Sequence, residues 1–251
     1  AKQIEKASMI LVADSPPPCT ICEYNLNFSE SAKNKVTYVG HFSGKASVSS
    51  EPSTNLENMV KGTDFGYWMR TGNKSTNDGT GQKYEEVFHD SEMKNERRII
   101  SHAKNDKSID QVIGKDGKKY SLLDAYEKKI DWIQIDIGFL TENEKQTVIN
   151  NCKFCVINGS HTVMGEIMGT NSKPIIGIPI YDEHTNQIKW TEEKGLGLLA
   201  KDKKQVIKAV KKIRQDYNKY EERLKEFSEN FDNNGAEKTS KIVSEILEKK
   251  D

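Results

Sequence analysis

The residues with the clearest chemical potential lie in one stretch, Phe154 to Glu166. Its apolar beginning, Phe154–Ile157, predicts a buried strand. Asn158-Gly159-Ser160 follows, a combination that forms turns and also caps helices. The next residues fit one face of a helix, so the pattern predicts a strand, a glycine turn and a helix in succession. Such a turn directs free backbone N–H groups and the positive end of the helix dipole toward a ligand, which favours phosphate.

Consecutive residues of this turn can donate hydrogen bonds to a diphosphate, namely Gly159, Ser160, His161 and Thr162. The His161 ring can add an N–H to a phosphate oxygen, or it can simply face solvent near the start of a helix. Glu166 lies about one helical turn further along, where a carboxylate can reach hydroxyl groups beside the phosphates. The alternative for Glu166 is a solvated surface carboxylate, the usual state of glutamate.

A second strand, Pro174 to Ile180, leads directly into the polar residues Tyr181 to Gln187. In open α/β sheets, ligands bind at the carboxyl ends of the strands, so this polar cluster is a second candidate binding element. Both apolar runs are short and flanked by helical patterns, which is typical of a parallel sheet covered on both faces. We therefore predict that Cys155–Ile157 and Ile175–Ile178 are adjacent parallel strands.

Taken together, the short motifs of this region form one ordered series. They are Gly159 to Glu166, Lys173-Pro174, Ile178-Pro179, Asp182-Glu183-His184 and Gly195-Leu196-Gly197. The series resembles the donor-binding half of GT-B glycosyltransferases, of the UDP-glycosyltransferase or lipid-linked peptidoglycan GlcNAc transferase type. The resemblance covers residues 130–250 well, residues 1–45 loosely and the middle of the chain poorly.

The resemblance implies an α/β fold with a Rossmann-like, doubly wound parallel sheet, preceded by a remnant of an amino-terminal domain. Residues 1–45 would end that acceptor-side domain, the Ser-rich residues 46–58 would be a linker, and residues 59–251 would form the donor-binding domain with its carboxy-terminal helices. Most of the acceptor-side domain would then be missing before Ala1. A separate subunit or a longer reading frame would account for this, although Ala1 can also simply follow a removed initiator Met.

The implied activity is transfer of a hexosyl or N-acetylhexosaminyl group from a nucleoside-diphosphate sugar, UDP-linked by this resemblance, to an acceptor that the sequence does not identify. By resemblance the reaction is inverting and independent of a metal, and it uses no cofactor. A non-catalytic sugar-nucleotide-binding subunit that needs a partner chain is one alternative. A GT-B-fold epimerase is another, although Asn158 to His161 departs from the acidic motif of those enzymes.

The resemblance also assigns roles to individual residues. Glu166 would accept hydrogen bonds from the ribose hydroxyls. Asp182, Glu183 and His184 would hold the transferred sugar, with His184 in place of the family's glutamine. Gly72 lies in a polar stretch, 71–81, that corresponds to the first donor loop, although a mobile surface loop is an equal alternative. Asp14 precedes three prolines on the acceptor side, which is too isolated a signal to nominate a general base.

The overall composition sets limits on the partners. The chain has 38 basic and 38 acidic residues and a formal net charge of zero. This balance gives no electrostatic reason to expect nucleic acid or an anionic membrane as the main partner. The sequence has no apolar run long enough to span a bilayer and no signal peptide at its start, so we expect a cytoplasmic protein, peripheral at a membrane only through a partner.

The four cysteines form two Cys-x-x-Cys pairs, Cys19/Cys22 and Cys152/Cys155. Two such pairs can indicate zinc. Here the pairs are far apart in sequence and lie inside apolar runs, so buried thiols are the favoured interpretation.

The remaining periodicities complete the predicted elements. Further strands are expected at 7–13, 35–40, 65–70, 98–103 and 130–137, and helices at 19–26, 82–88, 141–150, 202–217, 221–231 and 236–247, with the end of an earlier helix at Gln3–Lys6. Thr141 and Glu144 match a capping box at the start of the helix at 141–150. The last helix should turn Ile242, Val243 and Ile246 inward. Residues 105–120 are predicted to be a polar insertion with a turn at Gly114–Gly117.

Overall fold

The structure is a computed structural model that describes residues 6–42, 53–70 and 74–248, with only the backbone for 74–78. It contains a two-stranded sheet and an eight-stranded sheet. The strands are β1 Ile10–Val12, β2 Val36–Tyr38, β3 Gly66–Met69, β4 Arg98–Ser101, β5 Gln111–Gly114, β6 Lys119–Tyr120, β7 Trp132–Ile137, β8 Phe154–Ile157, β9 Ile175–Gly177 and β10 Gly197–Leu199. Among the helices of the described residues, none combines the length and the apolar composition that a bilayer crossing requires.

The large sheet has the strand order β10-β9-β8-β3-β4-β7-β5-β6. The six strands from β10 to β7 are parallel, whereas β5 and β6 pair antiparallel at one edge. The predicted adjacency of β8 and β9 is confirmed, with Cys155 opposite Ile175 and Ile157 opposite Gly177. All of β8 is buried, as expected for a parallel strand covered on both faces.

The helices connect or follow the strands of the two sheets along the chain. They are α1 Glu30–Lys33, α2 Asn55–Val60, α3 Lys74–Phe88, α4 Leu122–Glu127, α5 Glu142–Asn151, α6 His161–Met164, α7 Asp182–Glu193, α8 Lys203–Gln215, α9 Tyr217–Asn230 and α10 Gly235–Glu248. The predicted capping box at the start of α5 is confirmed, because the Thr141 side chain accepts from the Glu144 N–H and the Glu144 side chain accepts from the Thr141 N–H. Such caps satisfy N–H groups that the helix itself leaves unpaired.

The small sheet pairs β1 with β2 in parallel, with Ile10 opposite Val36. Two strands alone are marginal in water, so this unit depends on contacts with the larger body. The backbone supplies some of them: the His41 N–H donates to the Asp232 carbonyl at 2.6 Å, and the Gly235 N–H donates to the His41 carbonyl at 3.1 Å. The end of β2 is thereby fixed to the start of α10.

Within the polar stretch 71–81, residues 74–81 are helical and do not form the long loop that the composition predicts. Helix α3 begins at Lys74, eight residues before the predicted start at Gln82. A Cβ on Gly81 would lie only 1.3 Å from Nη2 of Arg70, so the guanidinium occupies the space that the glycine leaves open inside this helix. The glycines that predict a loop are therefore compatible with a helix here. Gly72 lies outside the described residues.

Residues 105–120 are more ordered than a polar insertion. Lys107–Ile109 form a 3₁₀ turn, and β5 and β6 add a hairpin to the sheet edge. The predicted turn before Gly117 is confirmed, with Gly117 at φ +78. The prediction of a helix at 19–26 is wrong except for a 3₁₀ turn at Glu23–Asn25.

Most of the predicted linker, 46–58, falls outside the described residues. Its last part is helical, because α2 starts at Asn55 behind a capping box formed by Thr54 and Glu57. The helix predicted at Gln3–Lys6 also lies outside the described residues, apart from Lys6.

The apolar face of α10 does not turn inward as predicted. Val243 is 46% exposed and Ile246 is 41% exposed, and only Gly235 of this helix is buried. Ile242 is partly buried. Periodicity established that the helix has an apolar face, but the described residues provide no surface that covers it.

The exposure of the α10 face predicts that the same substitution lowers the free energy of unfolding by different amounts on two helices. Ile213→Ala on α8 removes a fully buried side chain and should lower the free energy of unfolding by about 2–5 kcal/mol. Ile246→Ala on α10 should change it by no more than about 0.5 kcal/mol. Urea unfolding of both variants tests this, and equal losses would show that α10 is packed against the body.

Candidate functional site

The turn after β8 has the geometry that the sequence predicts. Gly159 has φ +95, and a Cβ there would lie 2.7 Å from Cδ1 of Ile188 and 3.1 Å from Cβ of His184. The position therefore requires glycine both for its backbone angle and for its space. The Ser160 N–H donates to the Asn158 side chain at 3.2 Å, and α6 begins at the next residue. The helix then widens into a π-helix over Gly165–Thr170.

His161 is held by a carboxylate from the far end of the sequence. Its Nε2 lies 3.0 Å from Oδ2 of Asp14, which is completely buried in the loop after β1. The same carboxylate accepts the backbone N–H of Ser15 at 2.7 Å and that of Cys22 at 2.8 Å. A buried carboxylate with these donors is well satisfied, and it fixes the His161 ring with Nε2 as a donor.

His41 is a residue of this site that sequence reasoning missed. It lies just beyond β2, is buried, and its Nε2 donates to the His161 carbonyl at 3.2 Å. The two imidazole rings are 4.8 Å apart. Burial, followed by the nearby His161, lowers the pKa of His41 to about 4. Gly165 makes room for this ring, because a Cβ there would lie 2.3 Å from Cε1 of His41.

Glu166 lies at the start of the π-helix and points to α5. Its Oε1 accepts from Lys145 Nζ at 2.8 Å and from Gln146 Nε2 at 2.7 Å. The side chain is only 12% exposed, so Glu166 is a largely buried carboxylate with partners rather than a solvated one. Its predicted contact with ribose stays a prediction.

Asp182, Glu183 and His184 form the first turn of α7, directly after the Tyr181 cap residue. His184 packs beside Gly159, and its Nδ1 is buried without a hydrogen-bond partner among the described residues. Burial lowers the pKa of His184. Glu183 accepts from Gln187 through its carboxylate. The two predicted binding elements, which follow neighbouring strands, therefore meet at His184 and Gly159.

A further polar chain lies at the same carboxyl edge of the sheet, and the sequence analysis missed it. Arg70, after β3, contacts Nδ1 of His102, after β4, at 2.7 Å. Nε2 of His102 lies 2.9 Å from Oδ1 of Asp136 in β7. Arg70 Nε is buried with no hydrogen-bond partner among the described residues. The only local signal was that Arg70 and His102 each directly follow an apolar strand.

Strand pairing places this group of polar side chains beside the glycine turn. Trp68 of β3 lies opposite Val156 of β8, so Arg70 continues level with Asn158. The edge thus brings together a fixed cation, a glycine turn at a helix start and the imidazoles of His161 and His184. Cations and helix-start N–H groups are the usual protein donors to phosphate.

The cysteines agree with the interpretation of largely buried thiols, and Sγ of Cys152 contacts Sγ of Cys155 at 3.6 Å. Cys19, Cys152 and Cys155 are buried and Cys22 is partly exposed, and all four are free. Burial, followed by the charge of Asp14, raises the pKa of the Cys22 thiol.

Comparison with solved structures identifies the fold. UGT2 of Phytolacca americana, solved with UDP-2-fluoro-glucose and pterostilbene, superposes with a TM-score of 0.62 and 14% identity over 99% of this chain. The glycosyltransferase of kitacinnamycin gives 0.60 and 11% identity over 96%. The calicheamicin glycosyltransferase CalG4 gives 0.55 and 13% identity over 96%. No family profile and no curated protein sequence matches the chain.

The chain spans about half the length of these structures, namely 54% of UGT2, 55% of the kitacinnamycin enzyme and 54% of CalG4. The fold is that of GT-B glycosyltransferases, as the motif series predicts. At these identities the likeness establishes the fold, and the chemistry has to be argued from the site.

Replacing the glycine of this turn should lower folding stability for two separable reasons, its backbone angle and its lack of space. Gly159→Ala should destabilise the chain through both its positive φ and its contact with Ile188, by about 2–4 kcal/mol. Gly117→Ala has a positive φ of +78 but no atom within 4 Å of its Cβ, and should cost only about 1–2 kcal/mol. Chemical unfolding of both variants measures the difference. Equal costs would mean that Ile188 moves aside freely.

The depressed pKa of His41 predicts a loss of stability in mild acid. Its folded pKa of about 4 lies below the unfolded value of 6.5, so the unfolded state takes up a proton first as the pH falls. Stability contributed by neutral His41 should therefore fall between about pH 6.5 and about pH 4, by about 2–3 kcal/mol in total. Urea unfolding across this range measures it. His41→Gln should flatten the decline, whereas His89→Gln, at an exposed position, should leave it unchanged.

Proposed function

We propose that this chain is the donor-binding part of a glycosyltransferase that uses a nucleoside-diphosphate sugar, with UDP as the nucleotide. The observation that carries this proposal is the Gly159 turn at the carboxyl edge of the parallel sheet, next to the fixed cation Arg70. This arrangement offers N–H donors and positive charge to a diphosphate at the place where open α/β sheets bind ligands. The GT-B fold supports it, as does UGT2, which was solved with a UDP-sugar analogue.

In this proposal each part of the donor has its own partner. The diphosphate lies over the turn formed by Gly159, Ser160, His161 and Thr162, and Gly72, which follows β3 in the sequence, is proposed to contribute as well. Arg70, oriented by His102 and Asp136, supplies a permanent positive charge. Glu166 accepts hydrogen bonds from the ribose hydroxyls. The hydroxyl groups of the transferred sugar form hydrogen bonds with Asp182, Glu183 and His184.

The proposed reaction is an inverting displacement in which the acceptor hydroxyl attacks the anomeric carbon, gives its proton to a general base of the acceptor-side domain, and displaces the nucleoside diphosphate. Negative charge grows on the leaving phosphate, and donors fixed in advance stabilise this charge best. The helix start and Arg70 provide such donors, so transfer proceeds without a divalent metal. Asp14 acts here through His161, whose ring it holds at the start of α6.

Most of the acceptor side is proposed to come from outside the described residues. The chain covers only about half of each GT-B structure that it matches, and residues 1–45 are proposed as the end of the acceptor-side domain. A partner chain, or a longer form of this chain, would then supply the rest, together with any association with a membrane on the cytoplasmic side. A non-catalytic donor-binding subunit is the second candidate, and the same half-length coverage favours it.

Calorimetry on the purified chain tests the proposal. UDP and UDP-sugars should bind, whereas sugar transfer by this chain alone should be slow or undetectable. If UDP-sugars and GDP-sugars both fail to bind at about millimolar concentration, the proposed function is wrong, since weak donor sites still fall within that range. Rapid transfer by the chain alone would instead reject the need for a partner.

The assigned roles predict an asymmetry between two glutamates. Glu166→Ala should weaken the binding of both UDP and UDP-sugar by about 10- to 100-fold, because ribose is common to both ligands. Glu183→Ala should weaken only the UDP-sugar. Glu229→Ala, at an exposed position on α9, serves as the control. Equal loss of UDP binding in the Glu166 and Glu183 variants would contradict the assignment.

A further inference from the structure

Three different metal-binding groups meet where the loop after β1 reaches the start of α6. Ligand atoms of Asp14, Cys22 and His161 all lie within 4.8 Å of one another. Zinc bonds of about 2.0–2.3 Å place the ligands of a tetrahedral site roughly 3.3–3.8 Å apart. Side-chain shifts of about 1 Å would therefore bring these three atoms around one ion.

We propose that Asp14, Cys22 and His161 form a zinc-binding site. A thiolate, an imidazole and a carboxylate together match the ligand preferences of Zn²⁺, whereas Mg²⁺ and Ca²⁺ prefer oxygen alone. Three protein ligands leave a fourth position for water. On binding, Cys22 releases its thiol proton to solvent, and the His161 ring proton moves from Nε2, where it faces Asp14 in the metal-free chain, to Nδ1, so that Nε2 can coordinate the ion.

The surroundings of these groups fit a built site. Asp14 is completely buried, and its Oδ1 accepts the Ser15 N–H at 2.7 Å, which orients the carboxylate. His41 holds the backbone of His161, because its Nε2 donates a hydrogen bond to the His161 carbonyl. Cys22 is partly exposed and the His161 side chain is 23% exposed, so an ion can enter from solvent.

The site differs from the one that the Cys-x-x-Cys spacing suggests. Of the pair Cys19/Cys22 only Cys22 belongs to the cluster, and the other ligands come from Asp14 and from His161, which is 147 positions from Asp14. A bound ion would therefore join the β1–β2 unit to α6. This goes beyond the proposed function, and because its test contains no nucleotide, the two can fail independently.

Titration of the metal-free chain with Co²⁺, a spectroscopic substitute for Zn²⁺, tests the proposal. We expect one Co²⁺ per chain, with a near-ultraviolet thiolate-to-metal absorption band and visible bands of a four-coordinate ion, all abolished by added Zn²⁺. Thermal unfolding should shift to higher temperature with Zn²⁺, because the ion binds the folded state. A chain that binds neither ion at micromolar concentration overturns the proposal.

Variants identify the ligands. Cys22→Ser and His161→Gln should each weaken Zn²⁺ and Co²⁺ binding by at least about 100-fold, since even indirect contacts to a metal site are worth 10- to 100-fold. Cys22→Ser should also remove the thiolate band. Cys19→Ser, in the same Cys-x-x-Cys pair, and Cys152→Ser should retain both affinity and band, with circular dichroism to verify folding.

Two results would overturn the assignment. The first is a thiolate band that persists in Cys22→Ser. The second is a band that disappears in a folded Cys19→Ser or Cys152→Ser variant, which would move the site to the other cysteines. The test relies on Cys22→Ser because Cys22 is partly exposed, whereas Asp14 is completely buried and its replacement can prevent folding.

Discussion

The contact between Asp14 and His161 is the interaction on which the arrangement of the site depends. A carboxylate with no exposed surface is tolerated only when donors surround it, and here they come from Ser15, Cys22 and His161. Two of these donors belong to its own loop and the third begins α6. The contact therefore joins the loop after β1 to α6 and, at the same time, holds the helix beyond the glycine turn.

The parts of the fold that could be predicted from sequence depend on local signals. The buried run of β8, the glycine turn at Gly159 and the capping box of Thr141 and Glu144 each reflect physics within a few residues. The adjacency of β8 and β9 followed from two short apolar runs separated by a helix, because such units form parallel sheets.

The parts that could not be predicted depend on distant partners. Arg70, His102 and Asp136 come from three strands, and only the strand order shows that they meet. The Arg70 guanidinium fills the space beside Gly81 of α3, a contact that local propensity does not encode. For α10, the periodicity of Val243 and Ile246 describes a face, and a sequence pattern carries no information on what covers that face.

The π-helix at Gly165–Thr170 affects how the motif around it is read. A π-helix bonds residue i to i+5 instead of i+4, so one turn holds an extra residue and every later side chain is rotated relative to the preceding α-helical segment. Within this turn Glu166 faces Lys145 and Gln146 of α5. An α-helical wheel that starts at His161 therefore predicts the wrong direction for every side chain beyond Gly165. Any comparison of this segment with another protein has to align the extra residue first, since the angular position of each side chain, and not its number in the motif, decides what it touches.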